Sequence, residues 1–320
     1  DLAHVMFTCS GSEANDLALR MARTFTGAEG VIVTENAYHG VTEALAELSP
    51  STGNPVGRRI RTVPPPDGPR DGVAAGEVFS RAVDAAISDL AADGLRPAAL
   101  LVDTILSSDG IISDPAGVLA PAAAAIRAAG GLFIADEVQP GFGRTGAEMW
   151  GFSRHGIAPD IVTMGKPMGA GHPVAAMAAR ADIVAAFGAR SRYFNTFGGN
   201  PVSVAAGQAV LDVIRDEDLI GNAGRVGAHL LRELRELART DTRIREVRGA
   251  GLFIGVELAD GDLAAEVVNA MRERFVLISA AGKTGNVLKI RPPLPFGMTH
   301  ADRLLGTLST VLRDLTIRPS

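Results

Sequence analysis

The chain has 320 residues, of which 47% are hydrophobic, and a formal charge of −5 from 31 basic and 36 acidic side chains. That apolar content excludes a disordered chain, and the length suffices for about two domains with a sizeable core. No basic stripe or aromatic-interleaved run of Lys and Arg is present, so nucleic acid is not an expected partner. Cys9 is the only cysteine, which rules out an intrachain disulfide framework and suits a reducing, cytoplasmic setting.

The sequence starts at Asp1 and enters the strand-like run Val5-Met6-Phe7-Thr8 almost at once, so an amino-terminally incomplete domain is expected. Ala14, Leu17, Ala18, Met21 and Phe25 then recur at helical spacing, and Val31-Ile32-Val33 reads as a second strand. The stretch 50–76 contains Pro64-Pro65-Pro66 and is expected to be a surface excursion. A helix over 82–92, a strand over 98–102 and an Ala-rich helix over 117–129 follow. The apolar stretch 115–135 is not a membrane span, because Pro121, Arg127 and Gly130-Gly131 interrupt it. Strands ending at Asp136 and Met164, another at Ala175–Ala179, and a further one near Tyr193-Phe194 complete a βα alternation. Such alternation predicts an α/β fold with a mostly parallel sheet and helices on both faces.

Beyond Asn200-Pro201 a helix to about residue 218 and a charged helix over 223–240 are expected. The pattern then changes to a strand pair around Val247 and Leu252–Val256, a helix over 264–274, a strand over 287–290 and a helix over 301–315. This reads as a small carboxy-terminal α+β domain, giving a division into 1–213 and 214–320.

Lys166 and Asp136 are the most informative residues. Each follows or ends a short apolar run, Ile161–Gly165 for the lysine and Leu132–Ala135 for the aspartate. An amine and a carboxylate are thereby set at the carboxyl ends of two strands, where open α/β sheets bind their ligands. The pair suits a cofactor with an aldehyde and a ring nitrogen, as pyridoxal phosphate has. Ser10-Gly11-Ser12-Glu13-Ala14-Asn15 lies between a strand and a helix, where backbone N–H groups and the Ser12 hydroxyl fit a phosphate. The same residues equally fit a capping box, Ser10 to Glu13, with no ligand. Tyr38 is an aromatic that could stack on a planar ring, but on local evidence ordinary core packing is the better reading. Ile134-Ala135-Asp136-Glu137 also resembles a Walker B strand, but the chain has no G-x-x-x-x-G-K-[ST] loop. Cys9 has no base near it in sequence and reads as a small buried apolar residue. The loop Asn195–Asn200 could supply a second phosphate contact, and Arg291 could bind a carboxylate, although a lone arginine is ordinarily a surface ion pair. The six histidines have no metal-ligand spacing.

In order, Ser10–Asn15, Tyr38-His39-Gly40, Asp136–Gln139 with Gly141–Gly146, Gly165–Gly169, Asn195–Pro201 and Ile290–Leu294 resemble the class III pyridoxal-phosphate aminotransferases of the type I, aspartate-aminotransferase fold. The resemblance implies a Schiff base on Lys166, Asp136 at the pyridine nitrogen, and Gly11 and Ser12 at the phosphate. It implies Thr196 reaching the same phosphate from the partner of a homodimer. Tyr38 and Val138 would sandwich the ring, His39 flank it, Gln139 meet its hydroxyl, and Arg291 hold a substrate carboxylate. The family often has Glu-Pro-x-x-x-x-Gly-Gly where this chain has Asp103–Gly110, which leaves the role of Asp103 open. The implied activity is amino transfer from an amino acid or amine to a 2-oxo acid. The stretch 34–51 and the Asp103–Gly110 departure resemble class III members that eliminate phosphate and ammonia from phosphorylated amino alcohols. A cofactor-binding chain without turnover is the third reading.

Overall fold

The computed structural model describes residues 2–317. In chain order it forms β1 (His4–Thr8), α1 (Gly11–Thr26), β2 (Gly30–Thr34), α2 (Glu43–Ala46), β3 (Ile60–Val63), α3 (Gly68–Asp71), α4 (Ala75–Ala92), β4 (Pro97–Asp103), α5 (Ala120–Ala128), β5 (Leu132–Asp136), β6 (Ile161–Met164), β7 (Ala175–Ala179) and α6 (Ala181–Gly188). Then follow α7 (Pro201–Asp216), α8 (Leu219–Thr240), β8 (Ile244–Ala250), β9 (Phe253–Leu258), α9 (Gly261–Glu273), β10 (Ser279–Ala281), β11 (Val287–Ile290) and α10 (Met298–Ile317).

Strands β1 to β7 make one sheet in the order β1-β7-β6-β5-β4-β2-β3. All run parallel except β7, which is antiparallel to both its neighbours. Every residue of β2, β5, β6 and β7 is buried. Continuous apolar strands of this kind require cover on both faces. Alternation along the strands assigns the cover. Ile32, Leu100, Phe133 and Val162 pack with Phe79, Val83 and Leu90 of α4 and Ile126 of α5. Their neighbours Val31, Val33, Leu101 and Ile134 pack with Leu17, Ala18 and Met21 of α1 and Ile183 of α6. Adjacent strand residues point to opposite faces, so the two helix groups lie on opposite sides of the sheet. The expected α/β architecture is therefore present.

Strands β8 to β11 form a separate antiparallel sheet, in the order β10-β11-β9-β8, with α8, α9 and α10 packed around it. One continuous apolar cluster runs from Phe79 and Phe133 through Leu230 to Val256 and Leu308, so both sheets share buried contacts.

Three expectations are corrected. The excursion over 50–76 contains β3, which adds a parallel edge strand beside β2. Its Ile60 and Val63 are buried while Arg61 and Thr62 are not, and four residues between prolines and glycines give too short a pattern to read. No strand forms near Tyr193-Phe194, where Phe194 is exposed and nothing pairs with the backbone in a ladder. Strand β10 was not expected because Ser279-Ala280-Ala281 has no strand-favouring residue; its pairing with β11 fixes it instead.

Candidate active site

The carboxyl ends of β4, β5 and β6 meet the amino terminus of α1. In register, Asp103 of β4 stands beside Asp136 of β5, and Asp136 beside Thr163 of β6. A cavity of about 320 Å³ opens there, and its wall includes Gly11, Ser12, Tyr38, His39, Asp103, Asp136, Val138, Gln139 and Lys166. Five separate sequence segments thus converge on one space.

Asp136 is buried and held on both oxygens. Its Oδ1 accepts from the Val138 backbone N–H at 3.0 Å. Its Oδ2 accepts from Asn15 Nδ2 at 2.9 Å and lies 2.7 Å from His39 Nδ1. A carboxylate accepts only, so His39 carries its proton on Nδ1 in this contact. His39 Nε2 is then a buried nitrogen with no partner among the described residues. Asn15 also donates to the His39 carbonyl at 2.8 Å and accepts from Thr163 Oγ1 at 2.6 Å. This buried amide ties α1, β5 and β6 together at the site. The sequence shows Asn15 only as the last residue of a helix-start motif, and its tie to Asp136 spans 121 positions.

At α1 the capping box is present. Ser10 Oγ accepts from the Glu13 N–H at 3.2 Å, and Glu13 Oε2 accepts from the Ser10 N–H at 3.1 Å. The two readings of this segment are compatible. Of the first-turn N–H groups, Glu13 is bonded to the cap and Ala14 to the Ser10 carbonyl, which leaves those of Gly11 and Ser12 without a helical partner. Gly11 also permits close approach: a Cβ there would lie 2.8 Å from Val138 Cγ1.

Lys166 follows β6 and its Nζ lies 5.9 Å from the centre of the Tyr38 ring. Gln139 Nε2 donates to Ser107 Oγ at 2.6 Å. Asp103 accepts from Ser107 Oγ and from the Ile105 N–H. Burial, together with Asp136 alongside, pushes the Asp103 carboxyl up. Cys9 also lines the cavity, but burial and nearby Glu13 push its thiol up, away from a reactive thiolate.

Arg291 lies outside this cavity, in an adjoining pocket of about 240 Å³ lined by Val138, Gln139, Arg144, Lys166, Pro167, Phe253 and Arg291. Among the described residues Arg291 has a single long contact, to Ser279 Oγ at 3.5 Å, and not the surface ion pair that a lone arginine suggests. Arg144 donates to the carbonyls of Leu252 at 3.1 Å and Pro292 at 2.7 Å; burial and the neighbouring Arg291 lower its pKa to about 10. Thr196 is exposed and does not line the cavity of its own chain. Lys289, hidden by its place in an apolar strand, was missed: its Nζ donates to the Ser107 carbonyl at 3.2 Å and to Gln139 Oε1 at 3.3 Å.

The family model "Aminotransferase class-III" matches residues 1–312. The chain belongs to the class III aminotransferase family, whose cofactor is pyridoxal 5′-phosphate. It is 40% identical to "Alanine--glyoxylate aminotransferase 2-like" of Drosophila melanogaster over 95% of its own length, and spans 66% of that relative. Among solved structures it resembles a phospholyase from Arthrobacter in complex with phosphoethanolamine, with 43% identity, a TM-score of 0.93, and coverage of 99% of this chain and 78% of that one. It also resembles an amine transaminase from an uncultivated Pseudomonas species in its PLP-bound form, with 29% identity, a TM-score of 0.88, and coverage of 98% and 77%.

The residues present fit the cofactor. A cavity with an amine at one wall, a carboxylate with an unused acceptor site, an orphaned imidazole nitrogen and two free first-turn N–H groups offers complements for an aldehyde, a ring nitrogen and a phosphate. No helix among the described residues is long and apolar enough to cross a membrane.

Proposed function

We propose that the protein eliminates phosphate and ammonia from a phosphorylated amino alcohol. The observation that carries this reading is the pocket beside Lys166, whose lining includes Arg144, Lys166 and Arg291 but no carboxylate. With Lys166 engaged by the cofactor, the two guanidiniums Arg144 and Arg291, without a lining counter-ion, favour a dianionic group over a monoanion. The 43% identity to a phospholyase supports the same reading.

In this proposal Lys166 holds the cofactor's aldehyde and Asp136 faces its ring nitrogen. The Gly11 and Ser12 N–H groups and the Ser12 hydroxyl take the cofactor phosphate, with Thr196 of a second copy completing that site in a homodimer. Tyr38 and Val138 would hold the ring between them, with His39 beside it and Gln139 toward its hydroxyl. Pyridoxal phosphate, when bound, supplies the electron sink that lets a C–H bond next to an amine ionise. The Lys166 Nζ, once free, would take the proton from the substrate carbon that bears the amine. Arg291 and the charge of Arg144 hold the phosphate on the next carbon while its C–O bond breaks. One water then releases the remaining carbons as an aldehyde and the nitrogen as ammonia. The division near residue 213 and a cytoplasmic setting belong to the same proposal.

Amino transfer from an amino acid or amine to a 2-oxo acid is the second reading, supported by the 40% identity to an aminotransferase-like relative. There Arg291 receives a carboxylate. One assay separates the readings. The chain is given pyridoxal phosphate and an O-phosphorylated amino alcohol without any 2-oxo acid. Phosphate and ammonia in equal amounts support elimination. Product formation only when a 2-oxo acid is added, and consumed in step, overturns it in favour of transfer. Cofactor bound through Lys166 with neither product leaves a binding chain without turnover.

A further inference from the structure

Along the wall of the cavity a largely buried chain of polar groups joins the two sheets. It starts at Asp103 on β4, passes through Ser107 Oγ and the Gln139 amide, and ends at Lys289 on β11. Its two ends have fixed polarity. A carboxylate only accepts hydrogen bonds, and an ammonium only donates. Ser107 Oγ gives its one hydrogen to Asp103, so it must accept from Gln139 Nε2, at 2.6 Å. The Gln139 oxygen is thereby turned to Lys289 Nζ, at 3.3 Å, and cannot exchange places with the nitrogen without setting N–H against N–H. Lys289 is itself held, by the Ser107 carbonyl at 3.2 Å and by the Phe253 ring, whose centre lies 5.3 Å from Nζ. Lys289 also feels the charge of Asp103 at the other end of the chain, without a direct ion-pair contact among the described residues.

We infer that Lys289 is a positioning residue: with Asp103 it fixes the direction of this relay, so that Gln139 presents its remaining Nε2–H, a donor and not an acceptor, to the cavity. A donor at that point suits an oxyanion, and the ring oxygen of pyridoxal phosphate is the group with that chemistry. Lys289 thus sets the polarity of the site from the small sheet without touching the cofactor. The inference rests on the proposed placement of the cofactor beside Lys166 and Gln139.

The test is equilibrium binding of pyridoxal 5′-phosphate, read as the visible absorption band of the bound cofactor, for the parent chain and Lys289→Met, Lys289→Arg, Gln139→Ala and the double variant. Melting curves check that each is folded, and Lys289→Leu, which likewise has no donor, replaces Lys289→Met if the latter does not fold. Losing a hydrogen bond to a charged group predicts affinity weakened by about ten-fold or more in Lys289→Met, with a shifted band, and recovery in Lys289→Arg. In the Gln139→Ala background, removing Lys289 should change little further. A parent-like band and affinity in Lys289→Met, or losses that simply add in the double variant, overturn the inference while leaving the cofactor site intact. A band in the parent chain that survives Lys166→Ala overturns both.

Discussion

Asp103 and Asp136 stand in register at the ends of adjacent parallel strands, yet the chain treats the two carboxyls differently. Asp136 is gripped by Asn15, His39 and the Val138 N–H, whereas Asp103 is bonded within its own loop to Ile105 and Ser107. Asn15 marks the difference, because it bridges Asp136, the His39 carbonyl and Thr163 at once. Asn15→Ala strands those groups in a buried site and should cost about 2 kcal/mol of stability, with weaker binding of pyridoxal phosphate. Urea melts and cofactor titration check it. Unchanged melting with unchanged affinity would remove Asn15 from the site.

Gly11 and Val138 give a second, compensable test. A Cβ at residue 11 would lie 2.8 Å from Val138 Cγ1. Gly11→Ala should therefore displace Val138, costing about 1–3 kcal/mol and lowering cofactor affinity. Shortening the obstacle in a Gly11→Ala, Val138→Ala pair should recover part of the stability. If the pair is no more stable than Gly11→Ala alone, the clash is not the cause.

How much of this was legible in the sequence varied with range. The strands ending at Asp136 and Lys166 could be read because buried parallel strands leave unbroken apolar runs. Gly11, Ser12, Tyr38, His39, Val138 and Gln139 lay in short motifs, and the fold brings all of them to one cavity. Strand β3 was missed because four residues give little periodicity. Asn15 and Lys289 were missed for a different reason: their partners are 121 and 150 positions away, and nothing local distinguishes a bridging amide or a buried amine from a solvated one. Arg291 was read as a substrate contact, and the fold sets it in the pocket next to Lys166, not in the cavity itself.

Glu137, next to Asp136, gives the pH response of stability. Its carboxyl is wholly buried and accepts from Thr104 Oγ1 at 2.6 Å and from the Gly151 and Phe152 N–H groups at 2.8 Å. Burial outweighs these donors and pushes its pKa from 4.5 to about 7. A folded-state pKa above the unfolded value means that the folded chain holds the proton more tightly, so this contribution is complete below about 4.5 and is lost as pH rises through about 7. His155 acts in the opposite direction: burial lowers its pKa from 6.5 to about 4, so its contribution is complete above 6.5 and lost as pH falls through about 4. The stability advantage of the parent chain over Glu137→Gln should be largest near pH 4.5 and shrink toward pH 7. Melts across that range that move in parallel would refute the burial argument.

Arg291 tests the proposed substrate pocket independently of the cofactor. Its one contact is long, so its removal disturbs little of the fold. Arg291→Ala should raise KM for an anionic substrate by about ten- to hundred-fold and leave the affinity for pyridoxal phosphate unchanged. An equal effect on an uncharged amine would show that the pocket does not select charge.

The proposed homodimer can be tested at one surface. Phe194, Phe197 and Val202 are 85%, 66% and 67% exposed, and all three flank the loop that carries Thr196. An apolar groove of about 200 Å³, lined by Phe7, Trp150, Met168, Val204 and Leu211 among others, adjoins the same helix, α7. Leaving such large apolar side chains in water forfeits the transfer free energy that burial returns, about 25 cal/mol for each Å² covered. A second copy placed against this face would cover them and carry its Thr196 toward the first copy's cofactor site. Phe197→Glu buries a charge in that contact and should convert a dimer to monomers in sedimentation velocity while the isolated chain keeps its helical circular dichroism. Cofactor affinity should fall in the same variant, since each site then lacks the partner's loop. A Phe197→Glu chain that sediments as the parent does would exclude this face from the interface.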